Sequence, residues 1–411
     1  MTRVVHSSLW SKILTFFVIF GPGLITLEAD NDAGAVAAYT QAGAHYGMGL
    51  IWVLLLLLPI TYFVQEMSAR LGIITGKGFA LMIYKKFGRW WGAFSLAELL
   101  VVNFLTLVTE FAAISLIMSK FGLSPYWSVP AVGIGLIALV CTTNYNKWER
   151  SMIVLCLVDL SWIVLAIMHR GQLVASATPA VVINSDLIFL IVAIIGTTVA
   201  PWQLFFQQSC VSEKKLRFKD LKYERLETFI GAIFTILVAA CMMFCGAVVG
   251  KGYTDPAQMA VVLSKSWGCL AGNILLIMFC NAAILGTVAI SLSSAWAYGE
   301  VKGWPCSLQL RWKDAPAFYG IYVACVMLAA GVVLIPHMPL QFVIVGVQVI
   351  AGVMLPSLLI FLHILLNDKT LMGEHANKLW NNIINWLVIG LLTVLSLILA
   401  GQVLIGTVHT S

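Results

Sequence analysis

The sequence predicts an all-α protein that crosses a lipid bilayer many times. Hydrophobic residues make up 61% of its 411 residues and charged residues only 10%, and the mean hydropathy is +0.96. Apolar segments of about twenty residues recur along the chain, and each can cross about 30 Å of hydrocarbon. The net charge of +6 does not indicate a nucleic-acid partner, because the basic residues are scattered in short loops.

Eleven apolar segments are predicted to span the membrane. Their approximate ranges are residues 11–41, 47–70, 93–119, 125–142, 150–169, 185–210, 226–250, 268–298, 316–336, 339–366 and 383–407. The longest polar segment, residues 212–227, is predicted to be a single loop. We therefore expect residues 1–411 to form one membrane domain.

The distribution of Lys and Arg predicts the orientation of the chain. With a cytoplasmic N-terminus, the inner segments hold 20 of the 24 basic residues, in agreement with the positive excess of cytoplasmic loops. The first apolar segment has no small-residue cleavage site at its end, so we expect it to remain as a span. An odd number of spans then predicts an extracytoplasmic C-terminus.

The first span carries acidic residues where a lipid-spanning helix should have none. Residues 28–34 read EADNDAG, so Glu28, Asp30 and Asp32 would lie near mid-membrane, where buried charge is costly. The span is too long for a single crossing, and we predict an unwound turn around Asp30 to Gly34. Irregular backbone at that depth is tolerated only where it is buried in protein or lines a watery cavity.

The sixth span is predicted to break in the same way. Pro201 stands at its centre, preceded by Gly-Thr-Thr at 196–198 and followed by Gln203 and Gln207. Discontinuous helices that meet at mid-membrane are typical of secondary transporters built from inverted repeats. Two five-span repeats and an appended eleventh helix are expected at about residues 11–170, 185–366 and 383–407.

Three motifs carry a resemblance to a known family. They are GPGLITLEADNDAG from Gly21, QEMSARLGIITGKGFA from Gln65 and TTVAPWQLFF from Thr197. In this order they resemble the first broken helix, the second-span exit and the sixth-span segment of the natural resistance-associated macrophage protein (NRAMP) metal transporters. The resemblance implies a leucine-transporter-like fold of five plus five helices and an eleventh, with helices 1 and 6 broken. It also implies that a metal ion is the transported substrate and that no cofactor is needed.

The resemblance implies a metal site in which this chain departs from the family at two positions. Asp32 stands on the family's metal-binding Asp, whereas Ala35 replaces an Asn ligand and Ala200 replaces a Met ligand. Loss of the thioether removes a preference for soft metals, and the two methyl groups leave room for an ion that keeps its water, as Mg²⁺ does. The pattern resembles the NRAMP-related magnesium transporters, so we expect uptake of largely hydrated Mg²⁺, and also of Mn²⁺.

Other polar residues are assigned to the ion site or its surroundings. Gln348 in the tenth span is similar to a family Gln that approaches the ion. Glu28 and Asp30 either attract the cation or cap the broken helix. Glu110 and Thr106 align with third-span residues of the family and are assigned to the ion path or to the groups around the ion. The roles of Glu98 and Asp159 stay open between ion path and structure.

The family's proton relay is the point at which the resemblance departs most. Trp202 and Gln207 occupy the positions of its sixth-span histidines, and neither can carry a proton near neutral pH. Trp202, Gln203 and Gln207 are assigned to the ion path or to the groups around the ion. We therefore predict alternating-access uptake without proton coupling, in a prokaryotic plasma (inner) membrane.

Three other functions compete with this one. A proton-coupled Mn²⁺ or Fe²⁺ transporter of the same family stays open as the first alternative. An organic-solute transporter of the same fold fits less well, because the site is acidic. A metal-dependent membrane enzyme is disfavoured, since the sequence has no HExxH motif and no nucleophile elbow. The expected partners are a divalent metal ion and the lipid bilayer, with no nucleic acid and no obligate protein partner.

Overall fold

The computed structural model describes residues 21–142, 144–172, 184–336 and 338–405, and all regular elements in these ranges are helical. The α-helices, in chain order, are α1 (Pro22–Glu28), α2 (Ala33–Tyr46), α3 (Ile51–Thr75), α4 (Phe79–Lys120), α5 (Pro125–Cys141), α6 (Tyr145–Val158), α7 (Leu160–Met168), α8 (Ser185–Thr198), α9 (Pro201–Glu213), α10 (Leu221–Val249), α11 (Pro256–Trp267), α12 (Cys269–Lys302), α13 (Pro316–Val333), α14 (Leu340–Asn367), α15 (Lys369–Met372) and α16 (Leu379–Ile405). Short 3₁₀ turns lie at Phe218–Asp220, Gly250–Gly252 and Gly373–His375.

Each predicted span has a helical counterpart in the described part of the chain. Nine stretches are long and apolar enough to cross a membrane, and they correspond to predicted spans two, three and five to eleven. The fourth span is the shorter helix α5, with 17 residues, and the first is represented by α1 and α2. Residues 11–20 of the first span and 406–407 of the last lie outside the described residues.

The first span is broken, as predicted. Helix α1 ends at Glu28 and α2 begins at Ala33. Asp32 caps α2, since its Oδ1 accepts a hydrogen bond of 2.8 Å from the backbone N–H of Ala35, and Asp is among the preferred N-cap residues. The predicted turn extended to Gly34. Because Asp32 caps the helix, the unwound backbone ends at Asp32, two residues earlier.

The sixth span is broken as well, at Val199 and Ala200. Helix α8 ends at Thr198, and α9 begins at Pro201, which occupies the first turn of the new helix. Proline is suited to that position because its missing N–H would have no intrahelical partner there. Ala200 has extended backbone angles, with φ −80° and ψ 145°.

The segment 212–227 is mostly helical, contrary to the prediction of a single loop. Helix α9 runs to Glu213, and α10 begins at Leu221. The high charge density concealed an amphipathic helix, in which Glu224 and Glu227 face the protein interior and the basic residues near them are exposed. Charge by itself does not distinguish a loop from the charged face of a helix.

Two further boundaries differ from the prediction. Helix α11 occupies a segment outside the predicted spans. Helix α4 begins at Phe79 rather than near residue 93, and it is kinked at Gly88, where φ is 85°. That conformation is costly for residues with a Cβ but not for glycine. An apolar window locates the crossing of the membrane and not the helical turns that extend beyond it.

Helices α2 and α10 contact each other at the level of their backbones. A Cβ atom on Gly43 would overlap the carbonyl group of Met243, and one on Gly246 would overlap the backbone of Thr40. Small residues permit such close approach of helices in membranes, where packing rather than hydrophobic burial drives association. The two glycines therefore attach the second half of the broken first span to α10.

We predict that Gly246→Leu destabilises the folded protein, whereas Gly390→Leu on α16 does not. The added side chain must separate α2 from α10, and overpacking of this kind typically costs about 1–3 kcal/mol. A Cβ at Gly390 meets no atom within 4 Å, so Gly390→Leu controls for the change in helix propensity. The thermal midpoint of the detergent-purified variants measures the difference. Equal midpoints would contradict the close contact.

Candidate ion-binding site

Helix α14 lies between the two helix breaks and contacts both of the broken spans. The side-chain amide of Gln348 lies against Gly34 of α2, where a Cβ would overlap it. The backbone carbonyl of Gln348 lies against Gly196 of α8, where a Cβ would overlap it as well. The hydroxyl groups of Tyr39 and Thr198 are hydrogen-bonded at 2.8 Å, which connects α2 directly to the end of α8. Gln348, assigned to the site from its sequence alone, therefore lies between the two broken spans.

Asp32 and Glu110 lie side by side at the first break. Glu110 Oε2 accepts a hydrogen bond of 3.1 Å from the backbone N–H of Ala33, and the two carboxyl groups interact directly. A Cβ placed on Gly286 of α12 would lie 2.8 Å from Glu110 Cδ and 2.9 Å from Asp32 Cβ. Gly286 thus provides the space in which the two side chains pack. Sequence reasoning had not singled it out.

Asp30 supplies a third carboxylate near the same point. Its side chain is 1% exposed, and neither of its oxygen atoms has a hydrogen-bond partner. Its charge acts on Asp32 and on Tyr39. A buried carboxylate without partners is costly, and a bound cation is the simplest way to compensate it. The methyl groups of Ala35 and Ala200 are buried at the starts of the second half-helices.

Glu28 belongs to a different polar cluster. It lies beside Asn31 and Thr235, and the charge of Asp159 acts on it. Asp159 Oδ1 accepts a 3.0 Å hydrogen bond from Asn281. The charge of Glu28 still acts on Asp30, but its contacts are with α10 and the junction of α6 and α7. Glu98 is held elsewhere, by a 2.5 Å hydrogen bond from the Ser357 hydroxyl group.

The predicted ion-path residues of the sixth span divide into two groups. Trp202 is fully buried and packs edge-on against Phe206, and its carbonyl oxygen accepts a hydrogen bond from Ser293. Gln203 accepts a 2.7 Å hydrogen bond from Gln65 of α3. These contacts fix the side chains of the first turn of α9 after the break.

Gln207 and Thr106 have other surroundings. Gln207 accepts a 2.5 Å hydrogen bond from Thr26 of α1 and donates one of 2.6 Å to Glu224 of α10. Thr106, on α4, donates to the carbonyl oxygen of Val102 one turn earlier in its own helix. Gln207 therefore links the first half of the broken span to α9 and α10.

Sequence reasoning missed Glu224 and Glu227. Both are fully buried, and Glu227 Oε1 accepts hydrogen bonds from the backbone N–H groups of Gly21 at 2.7 Å and Leu24 at 2.9 Å. It thereby satisfies donors at the start of α1 that have no intrahelical partner. The sequence offered one signal for them: Glu224 and Glu227 are three residues apart, as on one face of a helix, and Thr228 and an apolar helix follow.

These arrangements define a class of protein. Two discontinuous helices that meet at buried carboxylates within a helical membrane domain are the architecture of secondary transporters that bind their substrate at mid-membrane. In the described ranges no three side chains of His, Cys, Asp or Glu converge as a metal cage.

The comparisons agree with this class and identify the family. The chain belongs to the natural resistance-associated macrophage protein-like family, whose sequence model matches residues 23–402. It is 23% identical to the divalent metal cation transporter MntH of Levilactobacillus brevis, over 98% of this chain and 92% of that protein. It is 26% identical to MntH of Ralstonia nicotianae, over 97% and 93%.

Solved structures support the fold. A mutant of the Eremococcus coleocola manganese transporter superimposes with a TM-score of 0.73 at 17% identity, over 97% of this chain and 88% of that one. MhsT, solved in complex with L-phenylalanine, gives a TM-score of 0.59 at 14% identity, over 92% and 97%. The predicted leucine-transporter-like fold, with its broken first and sixth helices, is confirmed.

We predict that Glu227→Ala loosens the start of α1, whereas Glu227→Gln does not. The alanine variant leaves two backbone donors without a partner, and a hydrogen bond to a charged group contributes about 1.5–3 kcal/mol. The glutamine carbonyl oxygen can still accept both bonds. Hydrogen exchange of the Gly21–Glu28 peptide, followed by mass spectrometry, should accelerate about tenfold or more in the alanine variant. Exchange at the wild-type rate in Glu227→Ala would contradict the role assigned to Glu227.

Proposed function

We propose that this protein takes up divalent metal cations, Mg²⁺ above all and also Mn²⁺, by alternating access and without proton coupling. The observation that carries the proposal is the buried pair of Asp32 and Glu110 at the first break, with Asp30 buried beside Asp32 and with Ala35 and Ala200 at the family's other ligand positions. The metal ion is the transported substrate, and the mechanism requires no cofactor.

The chemistry of this group favours a hard ion that keeps its water. Carboxylate oxygens suit Mg²⁺ and Mn²⁺ better than soft metals. Mg²⁺ loses its water reluctantly and is usually bound through one or two carboxylates with several waters retained. Ala35 and Ala200 leave space for those waters, and the amide of Gln348 offers a polar group to them.

The named relatives support the substrate class. The Levilactobacillus and Ralstonia proteins are named divalent metal cation transporters, and the Eremococcus protein is a manganese transporter. Because the relatives are transporters, we assign no enzymatic activity to the chain. An organic solute is a poorer candidate, since three carboxylates would repel the carboxylate of an amino acid.

Uncoupled uptake needs only the membrane potential. Each charge gains about 2.3 kcal/mol per 100 mV of inside-negative potential, so a divalent cation gains about 4.6 kcal/mol. Trp202 and Gln207, which stand where the family has histidines, have no proton to exchange near neutral pH. The proposed location is a prokaryotic plasma membrane, with the N-terminus in the cytoplasm.

A proton-coupled Mn²⁺ transporter is the second candidate, and one contact favours it. Gln207 donates a hydrogen bond to Glu224, a buried carboxyl group that can exchange a proton. The carboxyl group could thus replace the missing histidine. A pH-sensitive dye inside proteoliposomes distinguishes the two candidates, because only a coupled carrier acidifies the lumen while it takes up metal.

We predict that Asp32→Asn abolishes cation uptake and that Asp255→Asn does not. Both residues cap a helix with their Oδ1 atom, and asparagine caps equally well, so the two variants differ only in the removal of charge from the ion site. Changes around a metal ligand typically cost about 10–100-fold, and loss of the ligand itself should cost at least about 100-fold. Uptake of Mg²⁺ into proteoliposomes by folded protein is the measurement. Wild-type rates in Asp32→Asn would show that the site lies elsewhere.

We predict that Ala35→Asn combined with Ala200→Met shifts the preference from Mg²⁺ toward Mn²⁺. The added carbonyl oxygen and thioether reach the ion only if it sheds water, and a thioether favours softer ions. A net gain of about 1.4 kcal/mol would change the relative affinity about tenfold. Competition of Mg²⁺ against Mn²⁺ uptake measures the shift.

The control adds a thioether away from the site. Ala97 lies on an exposed face of α4, and Ala97→Met is expected to leave the competition unchanged. Unchanged competition in a correctly folded double variant would contradict the hydrated-ion proposal.

A further inference from the structure

A polar cavity of about 440 Å³ lies between α3, α10, α16 and the turn that precedes α16. No residue of the candidate ion site lines it. The cavity is on the side of the protein where α3 ends and where α10 and α16 begin. The positive-inside rule assigns this side to the cytoplasm.

The lining of the cavity carries a positive excess. It includes three basic side chains, of Arg70, Arg225 and Lys378, and two acidic ones, of Glu66 and Glu374. Glu66 is shared, with Arg70 Nε at 3.2 Å and Arg225 Nη2 at 2.7 Å. One carboxylate therefore faces two guanidinium groups, and the side chain of Arg225 remains 47% exposed.

Arg70 positions the wall of the cavity opposite α3. It donates hydrogen bonds to the carbonyl oxygen of His375 at 2.6 Å and to Oδ1 of Asn377 at 2.8 Å. The ring of His375 stacks on Phe218 at 4.0 Å. These contacts hold the segment that carries Lys378, whose side chain is exposed at the rim.

The segment that leads into α10 adds further positive charge beside the cavity. Its exposed basic residues are Lys215, Arg217, Lys219 and Lys222. The acidic residues Glu224 and Glu227 of the same segment are buried on the other face. Basic clusters directly beside a membrane span attract anionic lipids.

Aromatic side chains connect the cavity with the lipid-facing surface. Tyr62 and Phe63 line it together with Trp380, which is 55% exposed. Phe63 packs edge-on against Trp380 at 5.4 Å, and Tyr62 packs edge-on against Phe229 at 5.7 Å. Such residues are enriched where hydrocarbon meets headgroups, so the cavity lies at headgroup depth.

We propose that this cavity binds the phosphate-bearing headgroup of an anionic phospholipid from the cytoplasmic leaflet. Arg225 and Lys378 neutralise the phosphate, for which the planar guanidinium group of Arg is well suited. The acyl chains run along Phe229 and Trp380. Free phosphate carries the same kind of charge as the headgroup, but it cannot contact the aromatic side chains of Tyr62, Phe63 and Trp380 through acyl chains. These side chains therefore favour the lipid.

The test compares two double variants of the full-length protein with the same loss of charge. Arg225→Gln with Lys378→Gln removes cations from the cavity, whereas Arg311→Gln with Lys313→Gln removes exposed cations of a loop on the same predicted side. Binding of phosphatidylglycerol in detergent micelles is followed by the thermal midpoint and by native mass spectrometry. Each of the two cations that face the headgroup contributes about a fivefold change in binding, so the cavity variant should bind about 25-fold more weakly than wild type. The loop variant should bind like wild type, because Arg311 and Lys313 do not line the cavity.

Three outcomes would overturn the proposal. They are equal weakening in both double variants, equal stabilisation by phosphatidylcholine, and a full midpoint shift produced by inorganic phosphate alone. If the cavity double variant does not fold, Lys378→Gln decides the matter, because Lys378 is exposed and makes no buried contact on which folding depends. Loss of about fivefold in lipid binding supports the site, and unchanged binding contradicts it.

Discussion

A helix that stops inside a bilayer leaves backbone donors and acceptors that lipid cannot satisfy, and this constraint governs the structure. At the first break the donors are taken by carboxylates. Asp32 accepts from Ala35 and Glu110 accepts from Ala33, while Glu227 accepts from the start of α1. Asp32 and Glu110, which satisfy the donors at the break, are also two of the carboxylates proposed to attract the cation.

The grouping of like charges has a consequence for the bound ion. Asp30 and Glu110 are each buried beside Asp32, and no basic residue is among the groups that act on them. Mutual repulsion and desolvation make this arrangement costly unless a cation or a proton enters. In the proposed function, such a site binds a divalent cation through charge, and the small side chains of Ala35 and Ala200 leave room for the water that the cation keeps.

The two halves of the first span are attached to α10 by different means. The second half packs backbone to backbone through Gly43 and Gly246, a contact that permits little adjustment. The first half is held by polar contacts, which include Glu227 and the hydrogen bond from Thr235 to the carbonyl oxygen of Leu27. In the alternating-access uptake proposed above, hydrogen bonds can be exchanged for water more readily than backbones in direct contact can separate, so we expect the first half-helix to be the more mobile one.

The sequence by itself determined the spans, their number and the two breaks. These depend on local properties: the length of apolar runs, a proline that starts a helix at Pro201, and an aspartate that caps one at Asp32. It also placed Gln348 near the ion site through its resemblance to a family position, and the structure brings that residue between the breaks. The loop predicted at 212–227 was wrong for a local reason, because a charged helical face resembles a loop.

Only the tertiary structure decided which polar side chains meet. It brought Glu110 of α4 to Asp32 in the space left by Gly286. It placed Glu28 apart from these two residues, where the charge of Asp159 acts on it. It also put Glu224 beside Gln207, where sequence comparison had found no titratable group. Such contacts join segments far apart in the chain, and the direction of a buried side chain is set by the helices packed around it. Local sequence patterns carry no information about those neighbours.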